Sequence, residues 1–136
     1  MKFLLFVSIL FLTFCKRDNS TSISTTTTDA IAEEVIRKDI SIEEAYNWIN
    51  SANAPTLIDV RTPAEYADGH IAGSTMIDYK DSSFDAEIDK LDKDATYLIY
   101  CRSGNRSGKA VHKMIGMGFT DVTNMEGGYN AWSSKY

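Results

Sequence analysis

Thr96-Tyr97-Leu98-Ile99-Tyr100-Cys101-Arg102-Ser103-Gly104-Asn105-Arg106-Ser107 changes character at its midpoint. Thr96 to Tyr100 is short, apolar and rich in β-forming residues, the pattern of a strand buried on both faces. Ser107 to Met117 then carries helical spacing and stops at Gly118, a natural left-handed cap. A cysteine therefore sits where a strand ends and a helix is about to begin. Successive backbone N–H groups and the positive end of the helix dipole face the sulfur in that geometry. They favour the thiolate, which is the nucleophilic form. Arg102 and Arg106 add positive charge and can hold an anion, and Ser103 and Ser107 bring hydroxyl donors.

The same alternation extends outward. A strand candidate runs from Val35-Ile36 to Ile40, and Ser41 with Glu44 forms a capping box for a helix striped by Ile42, Ala45, Tyr46 and Ile49. Thr56 to Val60 is a second buried strand. Thr62-Pro63-Ala64-Glu65 opens another helix, with proline at its first position. Thr75-Met76-Ile77 is a short strand, Ser83 caps a helix through Leu91, Val122 centres a last strand, and Gly127-Gly128 leads into a terminal helix around Trp132. Strands alternating with helices predict an α/β fold, a central parallel sheet flanked by helices on both faces. In such sheets ligands bind beyond the carboxyl ends of the strands, where Cys101 lies.

The 136 residues suffice for one domain and an appendage. Residues 1–14 read as a secretory signal peptide: Lys2, an apolar run from Phe3 to Phe14, and then Cys15. The run is short for a permanent span. Residues 15–33, with the block Ser20 to Thr28, read as a Ser/Thr-rich tether, and residues 34–136 as the folded domain. Leu12-Thr13-Phe14-Cys15 resembles a bacterial lipoprotein signal, with Phe14 as its departure. Lipidation at Cys15 and an exported, periplasmic, membrane-tethered location are the corresponding expectations. Cys101 is then the one free thiol, with no partner for a disulfide or a dithiol couple. A net charge of -5 and the lack of a basic stripe argue against nucleic acid. Two isolated histidines, His70 and His112, and one usable cysteine do not make a zinc site.

Four segments occur in order: Asp59-Val60-Arg61, Glu65 to Ser74, Cys101 to Ser107, and Glu126-Gly127-Gly128-Tyr129-Asn130-Ala131-Trp132. Together they resemble a single-domain rhodanese across Val35 to Tyr136. The resemblance implies a sulfurtransferase without a cofactor. Cys101 would take the outer sulfur of thiosulfate or a related donor, hold it as a persulfide, and pass it to cyanide or a thiol acceptor such as a thioredoxin-like protein. The loop Cys101 to Arg106 would cradle the transferred sulfur in backbone amides, with Gly104 leaving room for the cradle. Arg106 would orient the loop and its anionic occupant, Arg102 would meet substrate at the rim, and Ser107 would bond the site or cap the helix.

Asp59 reads as structural, because a carboxylate beside the nucleophile would raise its pKa. Arg61 reads either as a source of positive field near the sulfur or as a loop tie. His70 belongs to a structural turn, and Trp48 and Trp132 read as core. Two rival functions share the fold. A dual-specificity type phosphatase places its arginine six positions after cysteine, whereas Arg106 stands five after Cys101. A non-catalytic binding module would have less use for Cys101 and both loop arginines, whereas a sulfur carrier whose partner does the chemistry would keep them.

Overall fold

The computed structural model describes residues 38–136. The signal peptide, the tether, Cys15 and the start of the first strand candidate (residues 35–37) lie outside the described residues. The chain order is β1 (Lys38–Ile40), α1 (Ile42–Ile49), β2 (Thr56–Asp59), α2 (Pro63–Ala67), β3 (Thr75–Met76), α3 (Phe84–Asp89), β4 (Thr96–Tyr100), α4 (Asn105–Gly116), β5 (Asp121–Met125) and α5 (Gly128–Lys135). The strands form one five-stranded sheet in the order β1-β5-β4-β2-β3, and every pairing is parallel.

The central strand explains the layering. Successive side chains of a strand point to opposite faces. Tyr97, Ile99 and Cys101 enter one core cluster with Phe84, Ile88, Val111 and Met114, from α3 and α4. Leu98 and Tyr100 enter the other with Ala45 of α1, and Trp48, Tyr129 and Trp132 pack against it. Burial on both sides is why Thr96 to Tyr100 reads as a continuous apolar run. Trp48 and Trp132 are half-buried edges of the second core.

Both predicted capping boxes form. Ser41 and Thr62 each accept the backbone N–H three residues on at 3.3 Å, and Glu44 and Glu65 return the bond. Two starts differ from the sequence reading. Ser83 precedes α3 but makes no side-chain cap, because its backbone is already helical (φ -83°, ψ -5°). Its N–H goes instead to Asp81 Oδ1 at 2.8 Å. Helix α4 begins at Asn105, two residues before Ser107, with Gly104 as its N-cap at φ +94°.

Candidate active site

The early start of α4 reshapes the cysteine loop. Only residues 102–104 separate Cys101 from the helix, and Arg106 and Ser107 belong to its first turn. Ser107 does not cap α4. It is fully buried, and its hydroxyl donates to Cys101 Sγ at 3.3 Å. The Gly104 N–H donates to the same sulfur at 3.2 Å. Cys101 itself is 1% exposed. Burial pushes the thiol up, but the Ser107 hydroxyl and the amides of Ser107, Ser103 and Gly104 outweigh it, and the net direction is down.

Two glycines serve the loop for different reasons. A Cβ on Gly104 would meet nothing closer than 3.4 Å, an ordinary contact, so crowding of the cradle is not what selects glycine there. The positive φ is. At Gly128 the constraint is space as well as φ +57°: a Cβ would lie 2.4 Å from the Cys101 carbonyl oxygen and 2.7 Å from Ser103 N. The close approach lets the first turn of α5 grip the loop from behind. Tyr129 N–H donates to Cys101 O at 2.7 Å and Asn130 N–H to Arg102 O at 3.0 Å. In the sequence Gly127-Gly128 reads as the lead into the terminal helix, with no contact to Cys101 expected. Its place at a helix start within the last family-like segment was the available signal for more.

The two arginines have different surroundings. Arg102 is exposed at the rim. Arg106 is half-buried, and its guanidinium donates to both Glu65 oxygens at 2.8 and 2.7 Å. Arg106 thus reaches the loop already paired, while remaining near enough for the Cys101 charge to act on it. The Arg106 hydrogen bonds hold Glu65 well below its ordinary value of 4.5, at about 2, helped by Thr62 and opposed by burial. In the sequence Glu65 reads as a capping residue and as the head of the second family-like segment; its bond to Arg106, across 41 positions of chain, has no local signature.

Asp59 and Arg61 form a buried hub. Arg61 Nη2 donates to Asp59 Oδ2 and to Gly69 O, each at 2.7 Å, and its guanidinium stands 4.1 Å from the Tyr129 ring centroid. Asp59 Oδ1 also accepts the Arg61 N–H at 2.9 Å. The pair joins β2, the Gly69 turn and α5. Tyr100 adds a further stitch, accepting the Ile71 N–H at 3.1 Å beside the Ser74 hydroxyl. His70 is exposed and stacked on Tyr66, and His112 lies exposed on α4. Among the described residues no cluster of His, Cys, Asp or Glu is arranged to hold a metal ion.

Cys101 is thus a buried thiol whose pKa is lowered, backed by a helix start and by a second helix that grips its loop. Comparison with known proteins places it in a family. The rhodanese-like domain model matches residues 41–135. The thiosulfate sulfurtransferase GlpE of Pseudomonas entomophila is 38% identical over 85 residues, covering 62% of this chain and 76% of the relative. A crystal structure from Staphylococcus saprophyticus superposes with a TM-score of 0.65 at 30% identity, covering 72% of this chain and 95% of that one. A rhodanese-like domain protein from Staphylococcus aureus gives 0.64 at 32%, covering 70% and 90%. The chain belongs to the rhodanese-like domain family.

Proposed function

We propose that the protein is a sulfurtransferase whose Cys101 carries a sulfane sulfur as a persulfide. One observation carries the reading: a buried sulfur held by the Gly104 amide and the Ser107 hydroxyl at the start of α4. The Cys101 thiolate attacks the outer sulfur of thiosulfate or a related donor. The donor S–S bond breaks, and sulfite leaves with the electron pair. The terminal sulfur of the persulfide is then anionic, and unused N–H groups of the first helical turn can stabilise it. Cyanide, a small thiol or a thioredoxin-like protein attacks that sulfur and regenerates the Cys101 thiolate.

The Arg106–Glu65 pair favours sulfur over phosphate. A phosphoryl group needs a free guanidinium fork, and both guanidinium nitrogens that bond Glu65 are committed. Incubation with thiosulfate followed by intact mass measurement tests the reading. The expected result is a gain of one sulfur atom that is absent in Cys101→Ser, with thiocyanate released on adding cyanide. No gain would leave a non-catalytic module as the better description, and release of phosphate from an aryl phosphate would favour the phosphatase. We further propose that the domain works outside the cytoplasm, tethered through a lipidated Cys15. Detergent-phase partitioning of the full chain, lost in Cys15→Ala, is the corresponding measurement.

A further inference from the structure

Glu65 Oε2 accepts three hydrogen bonds: from the Thr62 N–H at 3.1 Å, the Thr62 hydroxyl at 3.0 Å and Arg106 Nη1 at 2.8 Å. Its Oε1 accepts from Arg106 Nη2 at 2.7 Å. One carboxylate thus closes the N-terminus of α2 and fills the fork of a guanidinium carried by the first turn of α4. Thr62 holds that carboxylate from behind, so the fork is fixed on it. The surroundings of Arg106 would otherwise suit an oxyanion. Amides of Ser107, Ser103 and Gly104 converge on the Cys101 sulfur at a helix start, and an arginine fork beside such amides is the arrangement that binds a tetrahedral dianion. Asp78, two residues beyond β3, places a further negative charge within reach of Arg106.

We propose that Glu65 sets the specificity of the Cys101 site: by holding the Arg106 fork, it denies tetrahedral oxyanions a seat over the sulfur and leaves the amide cradle to a single sulfur atom. Discrimination is a difference of affinities, and Glu65 acts on one side of that difference. An oxyanion seated in the loop needs the fork, so it must detach Glu65. The half-buried carboxylate, still pinned by Thr62, is then left facing a second anion. A persulfide sulfur carries one charge on one atom, which the loop amides satisfy without the fork. Thiosulfate offers its outer sulfur to Cys101, while its sulfonate end stays at the rim with exposed Arg102. Glu65 touches no reacting atom and is a positioning residue that acts through Arg106. The inference rests on the transferase reading for the sulfur that the cradle is kept for; the exclusion of oxyanions stands on the geometry alone.

Tungstate, a tetrahedral dianion, is titrated against the full chain while alkylation by iodoacetamide is read by mass at the peptide that holds Cys101. Protection of Cys101 should need about tenfold less tungstate in Glu65→Gln than in the unaltered protein, the effect of one charge-assisted hydrogen-bonded contact. Glutamine keeps an oxygen for the Thr62 bonds, so α2 stays capped. Asp78→Asn leaves the capping box and the fork in place and should gain about twofold. It decides the matter alone if Glu65→Gln does not fold. Adding Arg106→Ala to Glu65→Gln should abolish the gain, which a merely structural role for Glu65 does not require. Equal protection in the unaltered protein and both single variants overturns the inference, and so does a gain that survives the loss of Arg106. A tungstate gain in a chain that takes up no sulfur from thiosulfate supports the role of Glu65 and overturns the transferase reading.

Discussion

Two arginine–carboxylate pairs flank the Cys101 loop, and they solve different problems. Asp59–Arg61 spans two positions of chain and is almost wholly buried, with side chains 0% and 4% exposed. Glu65–Arg106 spans 41 positions and is half-open, at 26% and 18%. The first pair is desolvated, so each charge depends on the other, on Gly69 O and on the Tyr129 ring. The second keeps contact with water and joins α2 to the first turn of α4. Burial makes the former a fold element, while placement makes the latter an adjuster of the loop. The comparison breaks if their substitution phenotypes are exchanged.

The largest effect is expected from Arg61→Ala. Removing it strands the Asp59 carboxylate in the core, and breaking a buried pair in this way costs about 3–5 kcal/mol. Denaturant unfolding should show the loss at neutral pH. A change below about 1 kcal/mol would mean that water reaches Asp59 and that the hub is not a fold element. Gly128→Ala comes next. It tests whether the hub reaches Cys101, since Tyr129 touches both Arg61 and the Cys101 carbonyl. A Cβ forced 2.4 Å from that carbonyl oxygen at positive φ should cost about 1–3 kcal/mol and loosen the grip on the loop. Alkylation of Cys101 should then shift to higher pH, because amides aligned on the sulfur hold its pKa down. Lost stability with an unmoved alkylation profile would separate α5 from the sulfur.

Arg106→Lys sharpens the contrast from the other side. Lysine keeps the charge but cannot reproduce a two-pronged bond to Glu65. Stability should fall by no more than about 1 kcal/mol, while kcat/KM for sulfur transfer falls by about tenfold. A variant that unfolds while retaining activity per folded molecule would place Arg106 with the hub.

What was legible in the chain follows the range of the interactions. Alternation along Thr96 to Tyr100 and the capping boxes at Ser41 and Thr62 are local, so they were readable and the fold followed from them. The loop tie made by Asp59 and Arg61 is also local, two positions apart. The start of α4 was misplaced because Ser107 looks like a cap, while the actual N-cap is a left-handed glycine. Its hydroxyl had a stronger demand from the sulfur beside it. Glu65 on Arg106 and Gly128 against Cys101 are contacts between distant segments; a capping residue gives no hint of the first, and only the place of the glycine pair in the last family-like segment hints at the second.

The smallest effect is the pH dependence of the half-open pair. Arg106 hydrogen bonds lead the causes that lower Glu65 from 4.5 to about 2, ahead of opposing burial and the added bonds from Thr62. A carboxylate depressed in the folded state contributes stability that is fully present above its unfolded value and is lost as pH falls through the folded one. The contribution should therefore be intact above about pH 5 and fade between about pH 4.5 and pH 2. Solvent screening at this half-open site limits it to about 1 kcal/mol. Glu65→Gln removes the titration while keeping a side chain that can still accept from Thr62. The difference in unfolding free energy between the protein and this variant should shrink across that interval, and Arg106→Ala should abolish most of it. If the difference stays constant from pH 5 to pH 3, Glu65 gains nothing from Arg106 beyond what water supplies, and the tie between α2 and the start of α4 is only a contact.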